Sequence, residues 1–141
     1  MWEGNVAIER RLPATLENIV AVTAFIDEQL EALSCPVKAQ MQLDVAVDEL
    51  FGNIAHYAYG NADGETTVQF DFDEATHMAR ITFIDSGIPF NPLEKADPDV
   101  TLTAEERGIG GLGIFMVKKS MDKLEYAYEN GCNILIIYKQ I

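Results

Sequence analysis

The sequence predicts an α+β fold: a two-layer α/β sandwich whose mostly antiparallel, mixed sheet is covered on one face by helices. Three observations carry that expectation. Apolar residues recur at intervals of three and four between about residues 15 and 59, the spacing of amphipathic helices. Over residues 67–84 the pattern changes to period two, and two closing strands follow a third helix. The strands come mostly as sequence neighbours joined by tight turns, not as alternating βαβ units, which disfavours a parallel doubly wound sheet.

The 141 residues read as one domain, 1–141. Apolar residues make up 48% and charged residues 23%, as in an ordinary globular chain, so disorder and fibrous repeats are excluded. Twenty-three acidic against ten basic residues leave a net charge of −13. Such a surface repels phosphate backbones and anionic lipid, so neither nucleic acid nor membrane is an expected partner. The basic clusters Arg10–Arg11 and Lys118–Lys119–Lys123 read as solvated edges. No apolar run approaches the roughly 20 residues of a membrane span, and the start of the chain lacks a signal-peptide layout. A cytoplasmic protein is expected. Cys35 and Cys132 are too few for a disulfide framework and read as two buried thiols.

Residues 4–11 alternate mildly and read as a strand ended by Pro13. Thr15 with Asn18 opens the first helix, whose apolar positions are Leu16, Ile19, Val20, Thr23, Ile26, Leu30 and Leu33. Ser34, Cys35 and Pro36 break it, and Pro36 suits the start of the second helix. That helix spans about Val37 to Tyr59 and stops at Gly60, which reads as its C-terminal cap. Val68, Phe70 and Phe72 alternate with polar neighbours, and Met78–Ile84 answers them as the second arm of a hairpin. Pro89, Pro92 and Pro98 mark an irregular segment lasting to about Gly108. Loops of that length are usually functional lids or disordered. A helix near Leu112–Met121 follows, then strands at Lys123–Glu129 and Asn133–Tyr138 joined at Asn130–Gly131.

The second helix carries the first chemical signal. At about 100° per residue, Leu43, Val47, Leu50, Ile54 and Tyr57 share the face expected to meet the sheet. Gln42, Glu49, Asn53 and His56 fall on another stripe, with Glu49 and Asn53 one turn apart. A carboxylate and a carboxamide so placed can accept a proton and ligate a hard cation. A solvated polar face reads equally from the helix alone. Gly52 and Ala55 flank Asn53 and would let a ligand approach; a mid-helix glycine costs roughly 1 kcal/mol against alanine, so Gly52 needs a reason.

Asp85 ends a strand and is followed by Gly87. A carboxylate there can accept a hydrogen bond from an exocyclic amine such as that of adenine, and Gly87 would let a flat ring lie on the backbone; a plain Asp-Ser-Gly turn is the alternative. Residues 108–113 read GIGGLG. The dinucleotide-fold reading of G-x-G-x-x-G fails because no strand precedes it and no βαβ unit surrounds it. What survives is a tight backbone whose N–H groups face an anion at a helix N-terminus, with phosphate the natural ligand, or else a glycine hinge. Arg107 could reach a terminal phosphate or pair with Glu105 or Glu106.

Taken together, ELFGN at 49–53, DSGIPFNP at 85–92 and RGIGGLGI at 107–114 resemble the N, G1 and G2 boxes of the GHKL (histidine-kinase-like, Bergerat-fold) ATPase superfamily. The small size and the form D-x-G-x-P-F are similar to the bacterial anti-sigma factor serine/threonine kinases. The resemblance covers nearly the whole chain. It implies an ATP site between the helical layer and an ATP lid at about 91–109, with Mg²⁺. It matches Glu49 to the family's general base, Asn53 to its Mg²⁺ ligand, and Asp85 to the adenine-reading carboxylate with Gly87 beneath the ring. Gly108, Gly110, Gly111, Leu112 and Gly113, with Arg107, match the phosphate loop. It further implies transfer of the γ-phosphate to a serine or threonine of an anti-sigma factor antagonist, a competing sigma factor partner, and a homodimer. A non-catalytic, ATP-dependent partner-binding module is the alternative. Tyr57 stands where the family has a His, Cys132 where it often has Thr, and Gly110 and Gly111 are adjacent.

Overall fold

The computed structural model describes residues 7–60, 62–94 and 111–141. Five strands form one sheet: β1 (Ile8–Pro13), β2 (Glu65–Asp73), β3 (Met78–Asp85), β4 (Lys123–Glu129) and β5 (Cys132–Gln140), in spatial order β1-β2-β3-β5-β4. All four pairings among the described residues are antiparallel. Three α-helices accompany it among the described residues: α1 (Ile19–Ala32), α2 (Val37–Tyr57) and α3 (Gly111–Ser120). The α+β sandwich expected from the sequence is the observed architecture.

Alternation places Val68, Phe70, Ile81, Phe83, Leu135 and Ile137 on one face of the sheet, all buried. Val22, Ile26 and Leu30 of α1, Leu43, Val47 and Leu50 of α2, and Ile114 and Val117 of α3 close over them in one core. Each such fully buried side chain contributes about 2 kcal/mol of transfer free energy. α2 ends at Tyr57 with Ala58 as its C-cap, so Gly60, in the left-handed region at φ +59, turns the chain two residues beyond the cap it was expected to form. Asn130 and Gly131 have φ 53 and 78, the paired positive angles of a tight hairpin turn.

Several details differ from the sequence reading. β1 runs on through Pro13, which is tolerated because β1 is an edge strand and the proline its last residue. Thr15 makes no side-chain cap; instead Asn18 donates to the Thr15 hydroxyl and the Pro13 carbonyl. On α1 the buried stripe passes through Val22, Phe25, Ile26 and Leu30, which leaves Val20 77% exposed on the far side of the helix. Tyr57 also leaves the core face: it is 53% exposed, and its ring packs against Phe90. Both cysteines are free but only half-buried. No described helix is long and apolar enough to cross a membrane.

Candidate functional site

The site gathers around the last three turns of α2. Glu49 and Asn53 follow at a spacing of four on its stripe, about 6 Å apart along the axis. Both are half-buried, flanked on the core side by the fully buried Leu50. The first turn of α3 packs on Glu49: a Cβ at Gly113 would coincide with the Glu49 carboxylate. Glu49 therefore lies at the N-terminal end of α3, where the first backbone N–H groups lack intrahelical partners and attract anions. Gly111 and Leu112 form the backbone of that turn. Arg107, Gly108, Gly110 and most of the lid at 91–109 lie outside the described residues.

Asp85 is brought to the same helix from the end of β3. Asn53, Leu50, Ile54, Tyr57, Asp85 and Ile88 line one pocket, together with Phe90, Tyr126, Asn133 and Leu135. The enclosed volume is about 30 Å³, the room of a single water.

Asp85 is 5% exposed, a buried carboxylate that must be satisfied by donors. Its Oδ1 accepts from the Gly87 N–H at 2.9 Å and from Asn133 Nδ2 at 2.9 Å. Both bonds fall on one oxygen, which leaves Oδ2 for an amine donor from the pocket. Thr66, opposite Asp85 in the β2–β3 register, is fully buried and its hydroxyl has no partner. An unpaired hydroxyl beside a half-satisfied carboxylate, under an apolar wall, fits a flat base bearing an exocyclic amine.

Asn133 is a candidate site residue that the sequence reading missed. Its Nδ2 donates to Asp85 and to the Ile88 carbonyl, and its Oδ1 accepts from the Phe90 N–H and the Tyr126 hydroxyl. All four bonding positions of the amide are used. Burial pushes the Tyr126 hydroxyl above its ordinary pKa, with nearby Asp85 adding to the effect, so it stays a donor. One signal was available in the sequence: Asn133 is a polar residue on the strand face that carries the apolar Leu135 and Ile137.

Two glycines serve packing. A Cβ at Gly87 would collide with the Ala58 carbonyl, because the strand end crosses the C-terminus of α2 and Ile88 N–H donates to that same oxygen at 2.8 Å. Gly52 is buried against Ile19, with room for a methyl group, so it faces α1 and opens no path to a ligand. His56, on the same stripe as Glu49, is exposed and touches the Tyr57 ring. No cluster of three metal-ligating side chains exists among the described residues.

A helix carrying a carboxylate and an amide, a buried Asp-Gly strand end and a glycine-opened helix make this a candidate nucleotide site of the histidine-kinase-like kind. The chain belongs to the family of histidine kinase-like ATPase domains, whose match spans residues 12–139. It is similar to the serine-protein kinase RsbW of Bacillus mycoides, 24% identical over 140 residues, covering 96% of this chain and 86% of that protein. It is also similar to RsbW of Listeria monocytogenes, 32% identical over 99 residues, 67% of this chain and 62% of the relative. In fold it resembles the RsbU and RsbW domains of a Mycobacterium tuberculosis protein, with a TM-score of 0.68 at 14% identity over 96% of this chain and 32% of that one. The histidine kinase domain of a blue-light activated kinase from Erythrobacter litoralis gives 0.56 at 16% identity, over 75% of this chain and 46% of that one.

Proposed function

We propose that the chain is an ATP-dependent protein serine/threonine kinase that acts as an anti-sigma factor. It transfers the γ-phosphate to a serine or threonine of an anti-sigma factor antagonist and holds a sigma factor in the cytoplasm. The observation that carries this reading is the position of Glu49, a half-buried carboxylate against the glycine-opened end of α3 and one turn from Asn53. The relatives named serine-protein kinase support the activity.

Asp85 Oδ2 and the Thr66 hydroxyl are suited to read the base, and Leu50, Ile54 and Leu135 to exclude water from it. Mg²⁺ is an ion bound through one or two protein oxygens and the substrate phosphates. Asn53 Oδ1 is its candidate ligand, and the ion supplies charge that offsets the phosphates. Glu49 takes the proton of the acceptor hydroxyl as that oxygen bonds to the γ-phosphorus; the bond from phosphorus to the bridging oxygen breaks, and its electron pair leaves with ADP.

The test is incubation with Mg²⁺, γ-labelled ATP and candidate antagonists. Label should appear on a serine or threonine of one antagonist and disappear with Glu49→Gln, while ATP still binds. Transfer that survives Glu49→Gln removes the general-base assignment. ATP-dependent binding of the antagonist without label would favour the non-catalytic module.

A further inference from the structure

Val37, Met41 and Val45 follow at intervals of four along α2, so they stand in one row, and the next places in that row are Glu49 and Asn53. All three are open to solvent, at 74%, 63% and 58% exposure. The stretch from Val37 to Glu49 measures about 18 Å along the helix. α3 runs back beside it: Gly113 touches Glu49, and farther on Met116 and Ser120 join Met41, Gln42 and Val45 around a shallow groove of about 200 Å³. Met116 is itself half-exposed. An amphipathic helix in a chain of net charge −13 would ordinarily turn polar residues to water along this row. The charges beside it divide by side: Asp44 and Asp48 lie toward α1, while Lys38, three residues before Met41, and Lys119, three after Met116 with its ammonium over the Phe115 ring, lie toward α3.

We propose that this row is the docking surface for the phosphoacceptor protein. The partner presents an apolar patch with an acidic margin on the side facing α3, and its acceptor hydroxyl lies at the end nearest Glu49. The proposal rests on the kinase reading above. Geometry forces the footprint: a hydroxyl within about 3 Å of Glu49 belongs to a body that also covers the neighbouring turns. The turns on one side are this row. Methionines at 41 and 116 are flexible enough to pack against a protein surface that arrives and leaves. The lysines on the α3 side give a strongly acidic kinase one edge where an acidic margin can land.

The experiment uses the antagonist that the wild-type chain labels, found by screening the antagonists of its own genome. Phosphotransfer kinetics are compared for wild type, Met41→Glu, Val45→Glu, Lys119→Glu and the conservative Met41→Leu. For Met41→Glu and Val45→Glu the acceptor KM should rise about tenfold or more, the cost of a disrupted interface anchor, with kcat little changed. Lys119→Glu should raise KM mainly at low salt, and Met41→Leu should behave as wild type. ATP affinity and melting temperature should stay at wild-type values throughout. An unchanged acceptor KM in both glutamate variants overturns the proposal. So does any of three other outcomes: loss of ATP affinity, which assigns the row to the chain's own segment 95–110; conversion of a dimer to a monomer, which assigns it to a second copy; or loss of sigma factor binding with normal transfer. If wild type labels no antagonist, the kinase reading fails on its own; the surface is then decided by calorimetric binding of the antagonists with ATP, which Met41→Glu should abolish.

Discussion

The carboxylate of Glu49 fills the space that a side chain at Gly113 would need. The two residues come from different helices, and their contact fixes where α3 begins relative to α2. It also fixes the direction of the carboxylate. Gly113→Ala should therefore act on catalysis before stability. The added methyl pushes the carboxylate aside, and a displacement of about 1 Å in a reacting group can cost about a hundredfold in rate. Alanine within a helix meanwhile gains up to about 1 kcal/mol in propensity. The expected outcome is phosphotransfer reduced at least about tenfold with a melting temperature close to wild type. Melting curves and single-turnover kinetics on one preparation decide it.

Asn133 ties the 88–90 strap to Asp85 and Tyr126. Asn133→Ala leaves the Phe90 N–H without its acceptor and removes a donor from the buried Asp85. Stability should fall by about 1–3 kcal/mol, the cost of an unpaired buried polar group. ATP should bind about tenfold more weakly, because the carboxylate loses the partner that orients it. Calorimetric affinity equal to wild type would show that the strap has no part in the nucleotide pocket.

Gly52→Ala should stabilise. The new methyl would stand 3.9 Å from Ile19 Cδ1, an ordinary contact, and the helix regains about 0.5–1 kcal/mol of backbone entropy. A rise of about 3 °C in melting temperature, with unaltered ATP binding, is expected. A drop in ATP affinity would instead mean that Gly52 guards an approach to the site.

Much of this was legible in the sequence because it is local. The period-two runs gave both hairpins, and Gly60 and the Asn130–Gly131 turn demanded positive φ and have it. The Glu49–Asn53 stripe follows from helical spacing alone. The remainder depends on how elements meet. The burial of Val22 in place of Val20 depends on how α1 rolls onto α2, and the exposure of Tyr57 on how the end of α2 meets the segment after β3. Gly87 read as a platform for a ring, and the Ala58 carbonyl shows a second demand on it that no local pattern encodes. Asn133 reaches Asp85 through strand register, which period-two alternation does not specify.

Asp44 gives stability a pH dependence. Burial raises its carboxyl pKa to about 7, and the hydrogen bond and charge of Asp27, then the charges of Asp48 and Glu31, push the same way. One of its oxygens is buried without a partner. In the unfolded chain an aspartate titrates near 3.9. Between about pH 4 and 7 the folded state holds the extra proton, so stability falls as pH rises through that window and levels off above it. Asp44→Asn should stabilise at pH 8 by about 1 kcal/mol once solvent screening is allowed for, and the gain should vanish near pH 4. Denaturant titrations of both proteins at pH 4, 6 and 8 measure this directly.

The most direct measurement is titration calorimetry of ATP and GTP with Mg²⁺ against wild type and Asp85→Asn. Wild type should bind ATP and not GTP. Asp85→Asn should bind ATP at least about tenfold more weakly with its circular dichroism unchanged, since an amide nitrogen would face the adenine amine where a carboxylate oxygen is needed. No heat from ATP at millimolar concentration, or equal ATP affinity in the two proteins, would contradict a nucleotide site built from Glu49, Asn53 and Asp85.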